Sequence, residues 1–77
     1  MKRKYGDGGR NAGVWAYEED PNWIRLWFHG EREPYTYTSR KVGVAHVDEM
    51  KRLAYAGKGL TTYINQHRMV RDGYTKR

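Results

Sequence analysis

The side chains best suited to chemistry in this chain lie in one stretch, Trp23 to Tyr37, which reads WIRLWFHGEREPYTY. Trp23 to His29 is rich in aromatic and branched apolar residues, which predicts a β-strand. Side chains alternate faces along a strand, so Trp23, Arg25, Trp27 and His29 share one face and Ile24, Leu26 and Phe28 the other. The aliphatic set is an ordinary core face. The other set interleaves aromatic and basic groups, a pattern that stacks nucleic-acid bases and meets phosphates. Trp15 and Tyr17, on a preceding strand, would join it. Gly30 to Pro34 carries turn chemistry, and Tyr35 to Thr38 resumes as a strand with Tyr35 and Tyr37 on one face. Two readings of that tyrosine pair stay open. The rings are core with hydroxyls at a polar edge, or they form a stacking platform.

The remaining reactive groups are sparse. His29, His46 and His67 have no i, i+4 spacing of the kind a helical metal site uses. A two-histidine acid–base pair, as in a ribonuclease, would require His46 and His67 to meet across the helices. Ser39 is the only serine and lies in no nucleophile motif. Gly57-Lys58-Gly59-Leu60-Thr61 resembles a phosphate loop, but Arg52 occupies the upstream glycine position and a helix precedes it. Lys58 is therefore expected to meet phosphate only as a point charge. The residues predict no catalytic centre, cofactor or metal.

The elements that must position these groups follow from periodicity. Val14 to Glu18 alternates as a first strand, and Asp20-Pro21-Asn22 is a turn signal. A hairpin then leads into Trp23–His29, and Tyr35–Thr38 completes a three-stranded antiparallel meander. Ser39 to Gly43 reads as a polar connection, and from Val44 to Ala56 the spacing becomes helical, with Val47, Met50, Leu53 and Ala54 on one stripe. Gly57-Lys58-Gly59 stops that helix. A second starts near Leu60, carries Leu60, Tyr63, Ile64 and His67 on its stripe, and ends at Gly73. The expectation is an α+β fold, β-β-β-α-α, with two helices on one face of the sheet. Its core is Ile24, Leu26, Phe28, Val47, Met50, Leu53, Leu60 and Ile64.

Seventy-seven residues make one small domain, and the absence of cysteine leaves no disulfide to support it. The net charge of +6 is concentrated at the ends. Residues 1–12 and 68–77 each carry a net +3, while residues 13–67 balance seven positive against seven negative side chains. Residues 1–12 read as a flexible basic arm, 13–74 as the domain and 75–77 as a basic tail. Basic ends favour phosphate backbones through counterion release. No signal-peptide pattern or membrane-length apolar run occurs, so a cytoplasmic protein, monomer or homodimer, is expected.

Several spaced residues together resemble the KTSC domain, a small module named for its place at the C-terminus of some lysyl-tRNA synthetases. Phe28 and Gly30 match that family's strand end and turn, and Tyr35-Thr36-Tyr37 its central Tyr-x-Tyr. Leu53, Ala56, Gly57, Lys58 and Gly59 resemble its helix end and break, and Val70-Arg71-Asp72-Gly73-Tyr74 its closing motif. The likeness covers residues 22–74 and implies an α+β module for which RNA binding is the expected role.

Two functions from different classes follow. The first is a non-enzymatic binding module for RNA or single-stranded nucleic acid. Bases would stack on Trp27, Tyr35 and Tyr37, with Trp23 on the same binding surface, while Arg25, Lys58, Arg68 and Arg71 meet phosphates. The alternative is a small phage-type modulator that inhibits a host or defence complex by binding an acidic protein surface, since Trp, Tyr and Arg dominate interface hot spots.

Overall fold

The computed structural model describes residues 2–6 and 13–76. In chain order these form β1 (Arg3–Lys4), β2 (Val14–Asp20), β3 (Trp23–Phe28), β4 (Tyr35–Thr38), α1 (Ser39–Val42), α2 (Val44–Ala56), α3 (Leu60–Gln66), α4 (Arg68–Asp72) and β5 (Thr75–Lys76). The α+β class and the antiparallel meander are as expected. The sheet has five strands in the order β1-β2-β3-β4-β5, where three were expected.

The two added strands come from the charged ends. Arg3 pairs with Tyr17 and Lys4 with Ala16, while Tyr35 pairs with Lys76 and Thr36 with Thr75. A three-stranded meander would leave both edges with unpaired backbone groups, and short basic strands occupy and blunt them. Residues 3–4 are thus sheet where a flexible arm was expected, and Tyr5 packs against the core. The rest of that expected arm, Met1 and residues 7–12, lies outside the described residues, as does Arg77 of the tail.

The β2–β3 hairpin turns on Pro21 and Asn22, which sets Asp20 opposite Trp23, Glu18 opposite Arg25 and Tyr17 opposite Leu26. An irregularity between Val14 and Ala16 inserts one extra residue in β2. Such a bulge reverses the side-chain parity beyond it. Val14 therefore faces the core beside Phe28, and Tyr17 does so too, three residues on. Tyr17 was expected beside the tryptophans; the bulge moves it into the core, where it is 5% exposed.

Two main helices were expected; four segments are present. Ser39–Val42 is helical where a polar connection was expected, and Gly43, at φ 101°, separates this α1 from α2. His67, in extended conformation, separates α3 from α4. The Thr38 hydroxyl caps α1 by accepting from the Lys41 N–H at 3.2 Å. Gly57, left-handed at φ 79°, closes α2 by donating its N–H to the Leu53 and Ala54 carbonyls. Gly59 has no side chain with which to cap α3. Tyr5, from the far end of the chain, takes that role: its hydroxyl oxygen accepts from the Leu60 N–H at 3.1 Å. Lys51 anchors α2 to the β2–β3 turn by donating to the Asp20 carbonyl at 2.6 Å.

One core cluster joins Val14, Tyr17, Ile24, Leu26 and Tyr37 of the sheet to Val42, Val47, Met50, Ala54, Leu60, Ile64 and Val70 of the helices. The helices thus cover the Ile24–Leu26 face. Phe28 and Leu53, expected inside, lie partly buried at its margin. No helix among the described residues is long and apolar enough to cross a membrane.

Candidate nucleic-acid interface on the open sheet face

The sheet face opposite the helices collects the aromatic and basic side chains of β3. Trp23, Arg25 and Trp27 are half-buried there, and no described helix packs over them. Arg25 is held from both sides. Its Nε donates to the Thr36 hydroxyl on β4 at 3.0 Å, and its Nη1 to Glu18 on β2 at 3.3 Å. The guanidinium lies 4.6 Å from the centre of the Trp23 ring. On the next strand Trp15 joins the face, its ring 6.4 Å from His29. The Lys2 ammonium sits 4.8 Å from the Trp15 ring and 4.6 Å from the Trp27 ring. Cations over indole faces gain about 0.5–1 kcal/mol each at exposed sites. Lys4, opposite Ala16, adds a second ammonium to this side. Glu18 and Asp20 alternate onto it as well, so the face is aromatic with a modest positive excess.

His29 follows β3 directly, in the turn after Phe28. Its Nε2 is buried without a hydrogen-bond partner among the described residues.

The expected site residues do not all converge here. Tyr35 pairs with Leu26 and Tyr37 with Ile24, so both tyrosines belong to the helix-covered side. Tyr37 is 1% exposed and is core, which removes it as a surface for bases. Burial, and then the neighbouring Tyr35 and Tyr74, push its hydroxyl pKa up. Tyr35 is half-buried at the sheet margin. Its ring lies 5.0 Å from Phe28 and 4.4 Å from Tyr74, with the Lys76 ammonium 5.3 Å away. Lys58 lies in the exposed turn between α2 and α3. Arg68 and Arg71 are exposed on α4, where Asp72 pairs with both, at 3.9 and 3.3 Å. These three cations occupy the helical layer, so the sheet separates them from the tryptophans. Of the eight expected contacts, Trp23, Arg25 and Trp27 form one surface. Lys2, Thr36 and Glu18 complete it, and the Pro21-Asn22 turn carried the signal for Glu18: a two-residue loop sets it opposite Arg25.

A second polar cluster lies among the helices. His46 of α2 and His67, between α3 and α4, do meet, with ring centroids 5.2 Å apart at 65°. Tyr63 contacts both. The His46 Nδ1 is 2.6 Å from its hydroxyl, and the His67 Nδ1 donates to its backbone carbonyl at 2.8 Å.

Comparison with known proteins finds no matching family model, no matching curated protein and no matching solved structure.

Proposed function

We propose that this chain is a non-enzymatic binding module that takes single-stranded nucleic acid, RNA in particular, across the open face of its sheet. The observation that carries the reading is the sharing of that face by Trp15, Trp23, Trp27, Arg25 and Lys2, with no described helix over it. Base–aromatic stacking contributes about 1–3 kcal/mol per base and tolerates any sequence. Trp23 and Trp27 stand four residues apart on β3, about 13 Å at a strand's rise per residue, which gives a bound strand two separate stacking points. Arg25 is pre-oriented by Thr36 and Glu18, so little side-chain freedom is lost when it meets a phosphate or a base edge. Phosphates on this face would meet Lys2, Lys4 and Arg25 in place of Lys58, Arg68 and Arg71. The resemblance to the KTSC module favours RNA as the ligand, and such a role belongs in the cytoplasm.

The competing reading is an acidic protein partner on the same surface. Glu18 favours it, because its pairing with Arg25 lowers the charge offered to a polyanion.

Fluorescence anisotropy with labelled single-stranded RNA and DNA tests the proposal. Trp27→Ala should weaken RNA binding by roughly five- to a hundredfold and leave the melting temperature near that of the parent. A folded Trp27→Ala variant that binds RNA like the parent overturns the nucleic-acid reading and puts the protein partner ahead.

A further inference from the structure

One row of side chains crosses the open sheet face at its centre. The strand registers set Glu18 opposite Arg25 on one side and Thr36 opposite it on the other. The Arg25 Nε donates to the Thr36 hydroxyl at 3.0 Å, and its Nη1 to the Glu18 carboxylate at 3.3 Å. The guanidinium also lies against the Trp23 ring, 4.6 Å from the ring centre. Its Nη2 makes no hydrogen bond among the described residues. These contacts fix a planar fork that still has donors to give. As a cross-strand ion pair, Arg25–Glu18 adds little to stability by itself.

The pair stands between the two stacking points. Arg25 is two residues from Trp23 and two from Trp27 on β3, about 6.6 Å from each at a strand's rise per residue. A single strand whose bases stack at Trp23 and Trp27 therefore carries an intervening base past Arg25 and Glu18.

Arg25 and Glu18 present donors beside an acceptor. An ionised carboxylate only accepts, at about four lone-pair sites, so Glu18 takes further donors while it holds Arg25. Guanine alone among the RNA bases has two adjacent donors on its Watson–Crick edge, N1–H and the N2 amino group, next to the O6 acceptor. Uracil has one donor between two acceptors. Adenine and cytosine have an amino donor beside a ring nitrogen, whose lone pair would face the carboxylate.

We propose that the Arg25–Glu18 pair reads guanine, so that the sheet face selects a single strand with guanine between two bases of any identity. This rests on the nucleic-acid reading of the face and adds base selectivity to it. Arg25 donates to O6, and Glu18 accepts from N1–H and the N2 amino group. Thr36 is a positioning residue that holds the Arg25 fork by its Nε. Trp23 and Trp27 carry the flanking bases without discrimination, because every base has a π-face.

Fluorescence anisotropy with labelled uridine pentamers that differ only at the central position tests this. Central guanosine should bind the parent chain about five- to a hundredfold more tightly than central adenosine, cytidine or uridine. Inosine lacks the N2 amino group and should bind about tenfold more weakly than guanosine. The 7-deaza analogue keeps the whole Watson–Crick edge and should bind as guanosine does. Arg25→Lys keeps the charge and loses the fork, and Glu18→Gln replaces one acceptor oxygen by a donor. Each should bring the ratio of guanosine to uridine affinity toward one, with circular dichroism checking the fold. The comparison of bases on the unaltered chain depends on no variant's folding. Equal binding of all four pentamers overturns the guanine assignment and leaves the stacking surface standing. So does preference for another base, or inosine that binds like guanosine. Loss of affinity for the 7-deaza analogue, or an undiminished guanine preference in the two folded variants, overturns it as well. Failure of the parent to bind any of the four overturns the nucleic-acid reading and the guanine site with it.

Discussion

Tyr37 supplies the sharpest test of the two-faced sheet, because a surface tyrosine and a core tyrosine respond oppositely to alkali. Its ring is 1% exposed within the helix-covered side, and burial, followed by Tyr35 and Tyr74, raises its hydroxyl pKa. An unfolded tyrosine titrates near 10. Below that pH both states hold the proton, and the group gives no pH dependence. Above it the unfolded chain releases the proton while the folded chain keeps it, so stability falls as pH rises from about 10 toward the folded value. The slope is about 1.4 kcal/mol per pH unit for one proton. A domain of this length has on the order of 4–12 kcal/mol of stability in total, so one pH unit removes between a tenth and a third of it. Tyr37→Phe keeps the ring and deletes the titrating group. It should stay within about 1.5 kcal/mol of the parent at neutral pH and lose that one-proton slope. The assay is urea unfolding followed by tryptophan fluorescence, on parent and variant, in steps from pH 8 to about 11.5. Tyr5, Tyr55 and Tyr63 also have raised hydroxyl pKa values. They are present in both proteins, so the difference between the two slopes isolates Tyr37. Equal slopes would refute the placement of the hydroxyl in a desolvated site.

The other predictions concern the beginning of the chain. Tyr5→Phe removes the hydroxyl that accepts from the Leu60 N–H and should lower stability by about 1 kcal/mol; a urea midpoint equal to the parent's would mean that α3 is capped in some other way. Lys2→Ala removes the ammonium between Trp15 and Trp27. It should lower the salt dependence of RNA binding by about one phosphate contact, read as the slope of log affinity against log salt, and an unchanged slope would place Lys2 outside the bound strand's path.

The period-two run in β3 was enough to separate Ile24 and Leu26 from Trp23, Arg25 and Trp27, because a strand has only two faces and a small core takes the aliphatic one. The change to helical spacing from Val44 was equally legible, since Val47, Met50, Leu60 and Ile64 recur at the helical period and are buried. Both signals are local: neighbouring residues alone state them. What depended on distant partners was not written in any window of the chain. Tyr35 and Tyr37 alternate in the same way whether they face helices or solvent, and only the pairing of Tyr37 with Ile24 decides the face. The bulge at Val14–Ala16 sends Tyr17 inward by a backbone irregularity to which side-chain periodicity is blind. The charged ends read as arms because two-residue strands have no periodicity of their own; the open edges of β2 and β4 recruit them. His46 and His67, too far apart in sequence for any spacing rule, meet because α2 and the α3–α4 junction pack on one core. Sequence periodicity determines which face of an element is apolar, and tertiary packing decides which distant side chains that burial brings together.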